Sequence, residues 1–286
     1  MRRMILRLFF VILLFSIFPF TSCTPAKIET RSKGVMLKDE TVVHYLEAGQ
    51  GPALILIHGL GSSSDAWRSC MPSLSRSYRV LALDLPGFGK SDKPKADYSL
   101  QYQAGVVKEF MAAVGADKAA LAGNSLGGWI AALVALDSPG KVSALILVDS
   151  AGLRQESPVT VNLNPSTKEE QKALLLALFA NKSLVTDEIV EEQWQNRKEI
   201  RGAVQATMDS FKTAMPLLDD RLKDIKIPTL VIWGKEDTLV PPAVGERFAK
   251  GISGSKLVVI ENAGHLPQIE QPEAFARSVK GFVKNW

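Results

Sequence analysis

The sequence predicts an α/β protein: a mostly parallel sheet with helices on both faces. Three observations predict it. Apolar runs of strand length recur at 53–58, 79–84, 118–123, 142–149, 229–234 and 256–261, each closed by glycine, proline or polar residues. Helical patterns lie between most of them, and strands alternating with helices argue for parallel pairing. The runs are also uniformly apolar, as in Leu54-Ile55-Leu56-Ile57, which suits strands covered on both sides. In such sheets ligands bind beyond the carboxyl ends of the strands, so chemistry is expected in the loops that follow each run.

The chain begins with Arg2, Arg3 and Arg7 ahead of an apolar run over 8–20 that only Ser16 and Pro19 interrupt. A basic start followed by a short apolar stretch predicts a secretory signal over residues 1–22. The run falls short of the roughly 20 apolar residues a spanning helix needs. Phe20-Thr21-Ser22-Cys23 resembles a bacterial lipoprotein box, which makes Cys23 the lipid-bearing first residue of the mature chain and 23–30 a tether. An uncleaved apolar anchor, ordinary cleavage and an unusual start site are the alternatives. The expected location is that of an exported, membrane-anchored lipoprotein on the periplasmic or extracellular side.

The formal charge of +4 includes those three arginines, so the remainder carries +1. No clustered basic surface is implied, which excludes nucleic acid as an expected partner. Of the two cysteines, Cys23 is assigned to lipid, so Cys70 stands alone and no disulfide framework is expected. Cys70 reads as a small residue in a helix, since no basic neighbour marks it as a reactive thiol.

Taken in order, 31–37 and 41–48 around Lys38-Asp39-Glu40 form an opening antiparallel hairpin, and helices are expected at 65–75, 99–114, 126–136, 242–251 and 271–283. The interval 152–216 has no strand-like run and reads as a helical cap inserted into a core made of 31–151 and 217–286. Within it 166–178, 187–195 and 203–214 each predict a helix, with Ser166-Thr167-Lys168-Glu169 resembling a capping box. Leu174, Leu175, Leu178, Phe179, Trp194, Met208, Phe211 and Met215 supply the cap's own small core, and some of them line what lies beneath.

The centre of the chain is Gly123-Asn124-Ser125-Leu126-Gly127, between an apolar run and a small-residue helix. A strand turning this sharply into a helix holds the serine strained and exposed, and the helix N-terminus offers free amides to an oxyanion. Ser125 is therefore the expected nucleophile. A serine hydroxyl needs a base, and the base needs an acceptor that orients it. Of the three histidines, His44 lies in the hairpin and His58 ends a strand, where it would brace the loop around it; His265 follows the last strand beside Gly264, which makes it the expected base.

Asp237 and Asp149 compete as the orienting acid, each just past a strand. Asp237 fits the order serine, aspartate, histidine; Asp149 otherwise braces the entrance to the insertion. Glu236 is expected to be solvated, and Asp84 to fix a turn. The amides of Leu60, in the glycine-rich loop after His58, and of Leu126 would form the oxyanion hole. Trp67 and Trp129 are candidates to wall an acyl pocket, with Trp194 contributed by the insertion, although a core or surface role fits the first two equally well. Gly87-Phe88-Gly89-Lys90-Ser91 is not a nucleotide-binding loop, because Asp84 stands where its first glycine belongs.

His58-Gly59-Leu60-Gly61, the stretch from Asp84 to Ser91, Gly123 to Gly128, Trp233-Gly234-Lys235-Glu236-Asp237 and Ala263-Gly264-His265-Leu266-Pro267 together resemble the α/β-hydrolase superfamily from about residue 34 onward. The resemblance implies the α/β-hydrolase fold, an eight-stranded sheet with one antiparallel strand and a helical cap after the sixth strand. It further implies catalysis by Ser125, Asp237 and His265, and brings no cofactor or metal. Within the superfamily, a serine at 125 argues against dehalogenases and epoxide hydrolases, which carry an aspartate there. An ester hydrolase acting on medium-chain or bulky apolar acyl groups, such as a monoacylglycerol-like lipid, is the favoured expectation. The partners expected are that small ester or lipid substrate and a membrane.

Carbon–carbon bond hydrolases of meta-cleavage type are the alternative. They place an arginine before an aromatic in the cap to grip a substrate carboxylate, and Gln193-Trp194 stands there instead, with Arg197 as a substitute. Cofactor-free haloperoxidases share the triad and can act as esterases. A ligand-binding member with an idle triad is a further alternative.

Overall fold

A computed structural model describes residues 29–155 and 159–283. The predicted signal, Cys23 and most of the tether lie outside the described residues. Eight strands form one sheet: β1 (Arg31–Met36), β2 (Val42–Ala48), β3 (Ala53–Ile57), β4 (Arg79–Leu83), β5 (Ala119–Asn124), β6 (Val142–Val148), β7 (Thr229–Gly234) and β8 (Lys256–Ile260). Their order across the sheet is β1-β2-β4-β3-β5-β6-β7-β8. Only β2 runs against its neighbours, pairing antiparallel with β1 and β4, and every other pairing is parallel. The expected single antiparallel strand is this one.

Helices cover both faces. They are α1 (Met71–Leu74), α2 (Leu100–Ala113), α3 (Leu126–Asp137), α4 (Lys168–Leu178), α5 (Asp187–Thr213), α6 (Pro242–Gly251), α7 (Pro267–Glu270) and α8 (Pro272–Val283). Because successive strand residues point to opposite faces, Ile55 and Ile57 join one core with Phe110, Ile130, Val134 and Phe248 from α2, α3 and α6. Leu54 and Leu56 join the other with Met71, Leu74, Phe275 and Val279 from α1 and α8. The unbroken apolar strands of the sequence are the direct consequence of this double burial.

Three local expectations are corrected. The helix over 65–75 is a 3-10 turn, Ser64–Trp67, followed by the short α1, whose second residue is Pro72; proline is tolerated in a helix's first turn but not in its interior. The two cap helices expected at 187–195 and 203–214 are one 27-residue helix, α5. Gly202 costs a helix about 1 kcal/mol, and the buried row Arg197, Ile200, Ala203, Val204 and Thr207 carries the helix through it. The capping box sits one residue later: Thr167 Oγ1 accepts from the Glu170 amide at 3.2 Å, and the Glu170 carboxylate accepts from the Ser166 amide at 2.6 Å. The cap occupies the connection from β6 to β7, as expected, and no helix among the described residues is long and apolar enough to cross a membrane.

Candidate active site

β5 ends at Asn124 and α3 begins at Leu126, so the whole turn is Ser125, with φ 54° and ψ −118°. Side chains at the flanking glycines have no room: a Cβ on Gly123 would overlap the Gly127 carbonyl, and one on Gly127 the carbonyl of Ile57. The strained turn is held by four backbone bonds. The Ser125 amide donates to Val148 O at 2.9 Å, and the Ser125 carbonyl accepts from Gly128, Trp129 and Ala151 at 3.0, 3.3 and 3.1 Å. Ser125 is half-buried, whereas its neighbours on both sides are buried.

Leu126 is the first residue of α3, so its amide has no acceptor within the helix. Facing it, the 58–61 loop passes close enough that a Cβ on Gly59 would lie 3.2 Å from the Ser125 Cβ. Leu60 is therefore carried to the same edge as Ser125. His58 holds this loop, as expected: Leu85 donates to its Nε2 at 3.0 Å, which leaves Nδ1 to donate to Gly59 O at 2.8 Å. Burial holds the His58 imidazole below its ordinary range, in keeping with a neutral, bracing ring. Asp84 fixes its turn as expected, accepting from the Ser64 and Lys90 amides at 2.5 and 2.8 Å and pairing with His44 Nδ1 at 2.7 Å.

His265, in the loop after β8, is 2% exposed. Its Nδ1 pairs with Asp237 Oδ2 at 2.7 Å, and its Nε2 is buried with no partner among the described residues. Asp237 Oδ1 is fixed by the amides of Leu239 and Val240 at 2.8 and 3.0 Å. Of the two competing aspartates, then, Asp237 holds the imidazole. Asp149 lies alongside, its Oδ1 accepting from the Gly234 amide at 2.8 Å. Ligand atoms of Asp149, Asp237 and His265 all fall within 4.8 Å of one another, and they are the one group among the described residues with the spacing for a metal. A cation there would displace the imidazole N–H that Asp237 already accepts. Glu236 is exposed but not merely solvated, because its carboxylate accepts from the Ala263 amide at 3.0 Å and so steadies the same loop.

The three tryptophans fare differently. Trp67 does not wall a pocket: it is fully buried on the opposite face of the sheet, tilted against Phe275 with ring centroids 5.8 Å apart. The 3-10 turn over 64–67 carries it there. Trp129 stands at the joint between core and cap, its ring stacked on Phe211 at 5.8 Å and its Nε1 donating to Pro216 O at 3.0 Å. Trp194 is half-buried, with Lys198 and Arg201 each 5.5 Å from its ring.

The residue whose weight the sequence understated is Arg197. It is 4% exposed. Its Nε donates to Gln171 at 3.2 Å, its Nη1 is buried without a partner, and no acid pairs with it among the described residues. Burial, with Arg201 nearby, pulls the guanidinium down to about 10. A Cβ on Gly61 would sit 2.5 Å from Nη1, so the cation rests directly on the loop that carries Leu60. A signal for it exists in the sequence: Arg197 is the charged member of an otherwise mainly apolar helical stripe with Ile200, Val204 and Thr207.

Residues 52–272 match the family described as alpha/beta hydrolase fold. The chain is 34% identical over 252 residues to the 2-hydroxy-6-oxo-6-(2'-aminophenyl)hexa-2,4-dienoic acid hydrolase of Metapseudomonas resinovorans, covering 84% of this chain and 86% of that one. It superimposes on the meta-cleavage product hydrolase of Pseudomonas fluorescens IP01 with a TM-score of 0.82 and 29% identity, over 91% of this chain and 98% of that one. It superimposes on a membrane phospholipase A, described as a bacterial virulence factor, with a TM-score of 0.80 and 31% identity, over 91% of this chain and 86% of that one. These relatives are all hydrolases, and the sheet order, the strained serine turn and the matched family together make the chain a member of the alpha/beta hydrolase fold family.

Proposed function

We propose that the protein hydrolyses a carbon–carbon bond next to a ketone in a small acidic substrate of the 2-hydroxy-6-oxo-dienoate class. The observation that carries this reading is Arg197. A buried cation without a counter-charge is costly, by several kcal/mol, and the cost is offset when a substrate carboxylate completes the pair. A 6-oxo-dienoate offers that carboxylate at one end and an electrophilic carbonyl at the other. The relatives named for such substrates support this reading ahead of the ester hydrolysis expected from the sequence.

Catalysis follows from roles proposed for the residues described. Ketonisation of the 2-hydroxy-diene moves a proton to C5 and leaves a 2-oxo-3-ene. Ser125 Oγ adds to C6 while His265 Nε2 takes its proton; Asp237 stabilises the imidazolium and the amides of Leu60 and Leu126 receive the oxyanion. The C5–C6 bond then breaks, its electron pair running through the enone to the C2 oxygen, which takes the proton from His265. Water, deprotonated by His265, releases the acyl group from Ser125 as a carboxylic acid. Trp129 and Trp194 remain proposed contacts to the substrate.

Ester hydrolysis is the second reading. It uses the same acyl-enzyme and is favoured by the likeness to the membrane phospholipase A, together with the proposed lipid on Cys23 and export to the outer side of a membrane. One experiment separates the two. The purified chain lacking residues 1–22, its Ser125→Ala variant and its Arg197→Gln variant are assayed on 2-hydroxy-6-oxo-6-phenylhexa-2,4-dienoate and on p-nitrophenyl esters from acetate to palmitate. Loss of dienoate turnover in both variants, with esters spared by Arg197→Gln, supports the first reading. Turnover of long-chain esters alone overturns it in favour of the second.

A further inference from the structure

Asp149 is the first residue beyond β6 and is held with φ 43°, a conformation uncommon for a residue with a side chain. It is tied to β7 at two points: its amide donates to Ile232 O at 3.0 Å and its Oδ1 accepts from the Gly234 amide at 2.8 Å. It is fully buried, and its Oδ2 has no donor among the described residues. One oxygen of its carboxylate lies within 4.8 Å of ligand atoms of both Asp237 and His265.

Two ionised carboxylates this close in a dry interior repel strongly, so one of the pair keeps a proton. The surroundings decide which. Asp237 already accepts from three donors, the amides of Leu239 and Val240 and the Nδ1 of His265. Asp149 accepts from one. The charged and titratable groups that face it are Asp237 from the loop after β7, His265 from the loop after β8 and Glu270 from α7, so the two carboxylates among them oppose its ionisation as burial does.

We infer that Asp149 is a protonated carboxylic acid that donates its hydrogen to Asp237 and thereby acts as a positioning residue for His265. This rests on the proposed roles of Ser125, Asp237 and His265. It adds a fourth member whose effect runs entirely through Asp237. A neutral donor on Asp237 draws off part of the carboxylate's pull on the imidazole proton. Without that donor Asp237 would hold the imidazole proton more tightly.

The test uses phenylmethanesulfonyl fluoride, which sulfonylates the serine as fluoride leaves and His265 takes the hydroxyl proton, so no natural substrate is needed. The second-order rate is followed against pH for the wild type, Asp149→Asn and Asp149→Leu, with folding checked by circular dichroism. Asparagine keeps an N–H donor and should keep the acid limb in place, while leucine should move it up by about one pH unit. A downward move in Asp149→Asn would mean that an anion had been removed, and an unmoved limb in a folded Asp149→Leu would mean that Asp149 does not act through Asp237; either overturns the inference.

If the leucine variant fails to fold, the infrared carbonyl stretch of a protonated carboxyl at neutral pH decides: present in the wild type and missing in Asp149→Asn it supports the inference, and missing in the wild type it overturns it. Sulfonylation that survives in Ser125→Ala would instead refute the proposed nucleophile, and the infrared band would still report on Asp149.

Discussion

The guanidinium of Arg197, on the long cap helix, rests on the α-carbon of Gly61 in the loop beneath it, so close that a Cβ there would lie 2.5 Å from Nη1. Gly61 also has φ +72°, so alanine at this position is both strained and in the way. Gly61→Ala should therefore displace the cation without removing it. The expected outcome is a KM for an acidic substrate raised roughly thirtyfold or more, an effect of about 2 kcal/mol, with hydrolysis of neutral p-nitrophenyl acetate changed less. Steady-state kinetics on the two substrates measure this.

The same cation weakens the fold that holds it. Arg197→Met removes an unpaired buried charge and fills the space with apolar atoms, which should stabilise the protein by about 1 kcal/mol or more. The melting temperature should rise by roughly 2–4 °C, while binding of an acidic substrate is lost. A thermal melt of the variant showing no gain would argue that another group neutralises Arg197 in the free protein.

Ser125 stores strain of a different kind. Its φ of 54° costs on the order of 1–3 kcal/mol for a residue with a side chain. Ser125→Gly should abolish turnover and leave the melting temperature at or above that of the wild type, since relief of the strain opposes the extra entropy of an unfolded glycine. Calorimetry on the variant provides the check.

Asp149 should leave a mark on stability as a function of pH. Its carboxyl is held well above the usual range, chiefly by burial and then by Asp237, so the folded state binds its proton more tightly than the unfolded chain. Above the ordinary carboxylate value of about 4, the unfolded chain releases that proton and the folded one does not. This contribution therefore falls as pH rises towards the raised folded value. Asp149→Asn should gain stability relative to the wild type between pH 4 and neutrality, as read from urea unfolding at several pH values; an equal difference at all of them would count against a protonated Asp149.

The proposed lipid on Cys23 is tested separately from chemistry. Expressed in a bacterium fed labelled palmitate, the full chain should take up label and fractionate with membranes, and Cys23→Ser should take up none. Label-free membrane association of both forms would point to the uncleaved apolar segment.

The central strands could be read in advance because burial on both faces leaves runs such as 54–57 no polar position to obscure them. The places of Ser125, His265 and Asp237 were legible for a related reason: each lies past the end of a strand and within three residues of a glycine where a Cβ has no room, Gly123, Gly264 and Gly234. Trp67 was left between a pocket wall and a core role, and the core role holds, because one 3-10 turn takes the chain over to the other face. The continuous α5 was hidden by the polar stretch from Gln195 to Gly202, whose inner members are covered only when the cap meets the core. Arg197 shares that history, since its isolation from any acid is a property of packing alone.

The cap is also joined to the loop that bears His265. Glu270 accepts from the Gly264 amide at 2.7 Å and from the cap amides of Ala180 and Asn181 at 3.2 and 2.8 Å, and the His265 amide donates to Leu178 O at 2.8 Å. The end of α4 is thus part of the socket that seats the imidazole. Grafting a foreign cap onto this core to change what it accepts would unseat the base unless the graft joins beyond Asn181 or brings its own counterparts of the Leu178 carbonyl and the Ala180 and Asn181 amides. The end of α4 is therefore fixed by the base it seats, and α5 by Arg197, whose guanidinium rests on Gly61, so an exchanged cap has to reproduce both contacts.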